Sequence, residues 1–170
     1  IRVHGKGSYK YDNVRIGWNS RLDTIQAAIL QVKFKSFKEY EVDAVNRAAE
    51  QYTELLKDVV ETPIVQEGMY SSWAQYTIQL KSEEERNGLQ SWLKEQGIPT
   101  MVYYPKPMHS QKAFEKVKEY VKCPVTEQLC TTVLALPMHP YLKVEDQALV
   151  SREIKEWISL NRKECGMRVV

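Results

Sequence analysis

The first regular stretch of hydrophobic residues in the chain has a helical period. Ile25, Ile29 and Val32 are separated by four and three residues, which places them on one side of a helix. Asp23 precedes them and can cap that helix through its side chain. The pattern predicts a helix that begins near Leu22.

A second apolar run keeps the same period but starts with a different phase. Its members are Val42, Val45, Ala49, Tyr52, Leu56 and Val59. Because the two runs do not share one straight face, we expect the helix to bend or to change packing partners between Phe34 and Glu41. Proline cannot continue a helix, so the helix is expected to end before Pro63.

A strand and a helix are predicted next. The stretch from Trp73 to Leu80 alternates between apolar and polar residues, as a half-buried strand does. Ser82 and Glu85 have the spacing of a capping box, and Gly97 stands where a left-handed helix cap is expected.

The rest of the chain predicts shorter elements. Residues 100–104 and 132–136 are rich in β-branched and apolar side chains, which favours strands. Residues 112–121 and 144–160 have helical spacing, and Thr126 can cap a short helix between them.

Together these elements predict an α+β fold: a small mixed sheet of about three strands, covered by helices and docked on one long N-terminal helix. We expect three parts: a loop over residues 1–21, a long linking helix over residues 22–62, and a small α+β domain over residues 63–170. The sequence leaves strand order open, and the long helix could equally cover a different domain.

Composition narrows the class of protein. The chain is 43% hydrophobic and 27% charged, which is typical of a soluble globular protein, and its net charge of +2 does not indicate a nucleic-acid partner. No apolar run approaches the roughly 20 residues that cross a bilayer, and the chain start lacks a signal-peptide pattern. The three cysteines have no zinc or disulfide spacing. We expect a cytoplasmic protein without a metal site or a membrane partner.

The residues alone leave the chemistry open. Residues 6–21 mix basic and aromatic side chains, which could bind nucleic acid or form an arm that packs on another subunit. By itself Asn19 is typical of a turn, and Arg21 of a surface ion pair. No serine-nucleophile motif or metal-ligand spacing is present in the sequence.

Several motifs are more specific. They are Gly17-Trp18-Asn19-Ser20-Arg21 with Asp23-Thr24-Ile25-Gln26-Ala27-Ala28, Arg47 to Tyr52, Gly97-Ile98-Pro99-Thr100, Tyr103 to Gln111, and Leu136-Pro137-Met138-His139-Pro140. In this order they resemble the C-terminal part of sugar aminotransferases of the DegT/DnrJ/EryC1/StrS family, which depend on pyridoxal phosphate (PLP). The residues around Arg2-Val3-His4-Gly5 and Arg21-Leu22-Asp23-Thr24 are most similar to those of members that aminate a UDP-linked 2-acetamido-2-deoxy-3-keto-hexuronate.

This resemblance implies the small domain of a fold-type-I PLP transferase that works as a homodimer with shared active sites. The longer parent would transfer an amino group, from glutamate, to a keto sugar nucleotide in the synthesis of lipopolysaccharide or another glycan precursor. The Schiff-base lysine of the family would lie before Ile1, so we assign no catalytic residue here and expect the chain alone to be inactive.

The resemblance also assigns binding roles. Asn19 would donate to the cofactor phosphate of the partner subunit, and Arg21 would lie near that phosphate or the substrate. Neutral amide donors and a guanidinium fork both suit such anions.

The resemblance assigns further binding roles to residues at the end of the predicted strand 100–104 and in the loop that follows it. Tyr103 and Tyr104 would lie near the substrate, although either ring could instead belong to the aromatic core. His109 and Gln111 would bond sugar hydroxyls, whereas His139 is expected to be a structural histidine bonded to backbone.

Two other functions remain open. The chain could be a non-catalytic module that dimerises or binds a partner, which exposed apolar area would indicate. It could also bind nucleic acid through residues 6–21, with an affinity that falls steeply with salt.

Overall fold

A computed structural model describes residue 18, residues 20–111 and residues 122–166. The chain divides into two compact units, Ile1–Glu41 and Val42–Val170. The predicted helix over residues 112–121 lies outside the described residues.

The first unit contains helix α1, Thr24–Ser36. The predicted cap is confirmed, because Asp23 Oδ1 accepts hydrogen bonds from the backbone N–H groups of Ile25 at 2.8 Å and Gln26 at 3.3 Å. None of the residues of α1 is buried. A π-helical segment, Phe37–Glu41, follows directly. Its turn is wider than that of an α-helix, and it lies within the stretch where the change of phase was predicted.

The second unit contains the remaining described elements. In chain order they are α2 (Val42–Leu56), β1 (Tyr76–Gln79), α3 (Glu83–Glu95), a 3-10 turn (Met108–Ser110), α4 (Pro124–Thr132), β2 (Val133–Leu136) and α5 (Val144–Gly166). The predicted α+β class is confirmed, with helices dominant and a small sheet. No helix in the described part of the chain is both long and apolar enough to cross a bilayer.

The sheet is antiparallel, with Tyr76 opposite Leu136 at one end and Gln79 opposite Val133 at the other. A single bridge from Glu61 to Gln79 extends its β1 edge. The strand predicted over residues 73–80 is formed only over Tyr76–Gln79.

The predicted strand 100–104 is reduced to one bridge on the β2 edge. Met101 and Ala135 exchange two backbone hydrogen bonds, of 3.1 and 2.7 Å, and the pairing stops there. Pro99 and Pro105 flank this point and lack the N–H donors that a longer ladder needs. Among the described residues the sheet thus has two strands and two bridges rather than three full strands.

The core lies where α5 packs against α2 and α3 over the sheet. Its largest fully buried hydrophobic side chains are Tyr52, Leu56, Tyr76, Ile78, Leu89, Leu93, Leu134 and Ile154. Gly88 shows how close this packing is, because a Cβ placed there would lie 2.6 Å from Cζ2 of Trp157. Gln147 is buried in the same region, and its Nε2 donates to the backbone oxygen of Ala48 at 2.7 Å.

The ends of the helices are capped in different ways. The Ser82 cap of α3 is confirmed, since its Oγ accepts from the N–H of Glu85 at 3.2 Å, while Glu85 Oε2 accepts from the N–H of Lys81 at 2.7 Å. Gly97 has the left-handed φ of 73°. The predicted cap Thr126 is wrong, because α4 begins earlier, after Cys123. Pro124 fixes the backbone angle of the first turn and needs no N–H partner there.

Candidate functional site

The segment that carries the predicted substrate residues forms one wall of a cavity of about 700 Å³. Helix α4 and the start of β2 supply the opposite wall. The lining residues are Tyr103, Tyr104, Lys106, Pro107, Gln111, Thr126, Leu129, Cys130 and Val133. A cavity of this size, mostly apolar with a few polar groups, is typical of a small-molecule site.

The loop wall is built by the two prolines that follow the tyrosines. Pro105 and Pro107 prevent the chain from continuing as a strand after the bridge at Met101. The chain then turns, with the N–H of Ser110 donating to the oxygen of Pro107 at 3.0 Å. Gln111 Nε2 donates back to the oxygen of Lys106 at 3.4 Å, so this predicted site residue lies beside the cavity.

Both predicted tyrosines line the cavity. Tyr103 is 40% exposed and Tyr104 is 71% exposed, so neither belongs to the aromatic core and that alternative is wrong for both. Their rings meet edge to face, with centroids 5.8 Å apart. Tyr103 also lines a second cavity of about 300 Å³ on the side of Leu136-Pro137-Met138. The pair is therefore exposed at the cavity rather than packed in the core.

The two histidines of the motifs have other contacts. His109 is not among the lining residues of the cavity; its Nε2 lies 3.2 Å from Oε1 of Glu127 in α4. His139 Nδ1 accepts from the backbone N–H of Tyr141 at 3.2 Å, which confirms the predicted structural histidine.

The α4 wall was not predicted from the sequence. Thr126, Leu129 and Cys130 are three and four residues apart, so they share one face of a helix, and Val133 continues that side into β2. This helical spacing was a signal in the sequence, but it did not indicate which segment the face would contact.

The two predicted anion-binding residues belong to the first unit. Asn19 lies outside the described residues, as do almost all of residues 6–21. Arg21 has an exposed side chain. The roles of both residues remain predictions, and so does nucleic-acid binding by this segment.

The lining of the 700 Å³ cavity lacks one of the two groups that hold PLP. A PLP site needs a lysine amine for the imine and a carboxylate at the pyridine nitrogen. Lys106 is the one lysine among the lining residues of the 700 Å³ cavity, its side chain is exposed, and no carboxylate lines that cavity. A group of three potential metal ligands is also absent among the described residues.

A further cavity of about 600 Å³ lies between α2 and residues 62–73. It is lined by Asn46, Glu50, Tyr70 and Trp73 among others, and it contains none of the predicted site residues. The convergence of three predicted residues therefore singles out the cavity at Tyr103 and Tyr104.

Comparison with known proteins gives a consistent result. Residues 1–155 match the model of the DegT/DnrJ/EryC1/StrS aminotransferase family. The chain is 41% identical over 143 residues to the UDP-2-acetamido-2-deoxy-3-oxo-D-glucuronate aminotransferase of Pseudomonas aeruginosa, covering 84% of this chain and 38% of that protein.

Solved structures agree. A family aminotransferase from Brucella abortus superposes with a TM-score of 0.80 at 46% identity, over 92% of this chain and 42% of its own. NtdA from Bacillus subtilis, solved with its bound cofactor PMP, superposes with a TM-score of 0.74 at 27% identity, over 94% of this chain and 38% of its own. The chain thus spans less than half the length of these relatives. It belongs to the DegT/DnrJ/EryC1/StrS aminotransferase family.

Proposed function

We propose that this chain is the C-terminal portion of an aminotransferase that transfers an amino group, from glutamate, to a keto sugar nucleotide. The observation that carries the proposal is the cavity at Tyr103 and Tyr104, where side chains predicted from the motifs to lie near the substrate come together. Family membership supports the reaction class. The relative from Pseudomonas aeruginosa supports a UDP-linked 2-acetamido-2-deoxy-3-keto-hexuronate as the substrate, in the synthesis of lipopolysaccharide or another glycan precursor in the cytoplasm.

In this proposal the chain binds and encloses substrate but does not supply the reacting amine. PLP, when bound, provides the electron sink and carries the amino group. Following the resemblance to the family, we place the Schiff-base lysine in a part of the parent protein that precedes this chain. We expect the isolated chain to be inactive.

Tyr103, Tyr104 and Gln111 are the proposed substrate contacts. The exposed phenol of Tyr104 can donate to and accept from sugar hydroxyls, and the amide of Gln111 can do the same. Asn19 and Arg21 would act across a homodimer, with Asn19 donating to the cofactor phosphate and Arg21 binding an anionic group of the cofactor or substrate.

The test is an assay of the full-length parent with PLP, glutamate and keto sugar nucleotides. We expect 2-oxoglutarate and an aminated sugar nucleotide, detected by mass spectrometry. Tyr104→Phe should raise the KM for the sugar nucleotide by about tenfold, since a hydrogen bond to a ligand is lost. Tyr141→Phe is the matched control, because Tyr141 is exposed but does not line the cavity. Absence of amino transfer with every keto sugar nucleotide would refute the proposal.

A non-catalytic module is the second candidate, favoured by the exposed apolar side chains of α1. Borohydride reduction separates the two. If the parent gives a single lysine adduct with PLP and the isolated chain gives none, the parent binds PLP through a lysine outside this chain, as the aminotransferase proposal requires. A stoichiometric adduct at one lysine of this chain would contradict our placement of the Schiff-base lysine.

A further inference from the structure

The two walls of the 700 Å³ cavity come from separate parts of the sequence. Tyr103, Tyr104 and Gln111 belong to the loop wall, whereas Thr126 and Leu129 belong to α4. A contact that joins one wall to the other can set the width of such a cavity. Among the described residues, His109 and Glu127 make a contact between the turn of the loop wall and α4.

The contact is a hydrogen bond between residues 18 positions apart. His109 Nε2 and Glu127 Oε1 are 3.2 Å apart, with 21% of the histidine side chain and 42% of the glutamate side chain exposed. Partial burial reduces the competition from water that weakens fully exposed pairs. An ionised carboxylate only accepts hydrogen bonds, so Nε2 of the imidazole is the donor whenever it bonds to one.

Both partners lie next to lining residues. His109 is in the 3-10 turn Met108–Ser110, and Gln111 follows that turn directly. Glu127 lies between Thr126 and Leu129 on α4. A change in the contact would therefore be transmitted to the lining side chains of both walls.

We propose that Glu127 is a positioning residue, which holds the His109 turn against α4 and thereby sets the distance between the two walls that enclose the substrate. His109 then acts as the other half of this tie, rather than as the direct contact to a sugar hydroxyl that the motif suggested. The identity of the occupant rests on the proposed function. The tie between the walls does not.

The first test measures kinetics of the full-length parent. Glu127→Ala should raise the KM for the sugar nucleotide by about tenfold, because one charge-assisted hydrogen bond is lost, and leave kcat within about twofold. Glu127→Gln retains an acceptor oxygen and should have an intermediate effect. Glu145→Gln, an exposed carboxylate in the first turn of α5, is the control and should change neither value.

A double-mutant cycle tests whether the two residues act together. If they do, the double variant should have nearly the same KM for the sugar nucleotide as His109→Ala alone. Full additivity of the two effects would overturn the proposal. Because Glu127→Gln preserves size and an acceptor, an intermediate KM at an unchanged urea midpoint shows that the effect is not general unfolding.

The second test does not depend on activity. Nitrogen-15 NMR of the histidine rings in this chain, at about pH 8 where histidine is ordinarily neutral, reports which ring nitrogen carries the proton. The Nε2–H form also predominates in an unrestrained neutral imidazole, so the tie is measured by the Nε2 and Hε2 chemical shifts rather than by the tautomer alone. These shifts should report a hydrogen-bonded Nε2–H in the wild type and in Glu145→Gln and should move in Glu127→Ala; unchanged shifts there would refute the tie. If the shifts move but no sugar nucleotide is aminated, the proposed function fails while the tie stands.

Discussion

Helices α1 and α2 are neighbours in sequence but differ in how their apolar residues are used. Helix α2 buries Val45, Ala48, Ala49, Tyr52 and Leu56 on one side. Helix α1 is also rich in apolar residues, yet none of them is buried, and Ile25 and Val32 are 74% and 77% exposed.

The difference lies in how the apolar positions are distributed. At 100° per residue, Ile25 and Ile29 project to one side of α1, whereas Leu30 and Phe34 project to the other. A helix that is apolar on two sides is typical of one enclosed by other elements. The exposed surface of α1 is therefore consistent with the proposed homodimer, in which a second subunit would cover part of it.

The sharpest test of this comparison is a pair of identical substitutions. Leu56→Ala in α2 should lower the free energy of unfolding by about 2–5 kcal/mol, because the side chain is fully buried and its removal leaves a cavity. Leu30→Ala in α1 should change it by less than about 0.5 kcal/mol, since this leucine is 51% exposed. Urea unfolding of this chain measures both. Equal losses would show that α1 is packed as tightly as α2.

A smaller loss of stability is expected when the ion pair between Glu85 and Arg162 in the second unit is removed. Glu85 Oε1 accepts from Arg162 Nε at 2.8 Å, and Oε2 accepts from the N–H of Lys81 at 2.7 Å. Burial alone would raise the pKa of Glu85, but the hydrogen bonds from Arg162 and Lys81 outweigh it and lower the pKa below its ordinary value. Glu85→Gln should cost about 1–3 kcal/mol of unfolding free energy near pH 7.

The sign of the pH dependence follows from that lowered pKa. The Glu85 carboxylate stabilises the fold above its unfolded pKa of about 4.3, and the stabilisation is lost as the pH falls through the lower folded pKa. In urea unfolding at a series of pH values, the deficit of Glu85→Gln should therefore shrink in acid. Glu95→Gln, exposed on the same helix, is the control and should show no such trend. A constant deficit down to the lowest pH would argue against the ion pair as its cause.

The smallest expected effects concern the two helix caps. Ser82→Ala removes the side-chain cap of α3 and should lower the unfolding free energy of the second unit by about 1 kcal/mol. Asp23→Ala removes the cap of α1 and should instead speed amide hydrogen exchange in α1 without shifting the urea midpoint of the second unit. An equal midpoint shift from both changes would show that the Asp23 cap also stabilises the second unit.

Much of the fold was predictable because its signals are local. The Asp23 cap, the Ser82 cap and the left-handed Gly97 each depend on residues within one turn. The predicted strand 100–104 was wrong because β-branched and aromatic composition favours a strand without specifying a partner. Only Met101 has one, and the flanking prolines cannot extend the ladder.

The candidate site was predictable in part for the same reason. Tyr103, Tyr104 and Gln111 are neighbours in a motif, so one resemblance identified all three. Leu129, Cys130 and Glu127 meet that motif only because α4 folds against it, and helical spacing alone does not name the partner of a helix face.

The sequence by itself indicated the family, most of the described helices, the caps at Asp23 and Ser82, and the motif that lines the cavity. Helix and strand propensity, hydrophobic periodicity and capping each depend on a few neighbouring residues. A motif is likewise identified from the order of residues in one short segment. The tertiary structure decided which apolar faces are buried, that α4 closes the cavity, and that His109 contacts Glu127 instead of the cavity. These contacts depend on which segments, distant in sequence, pack together. Burial stabilises any apolar face that is covered, whichever segment covers it, so the pattern of one segment does not specify its packing partner.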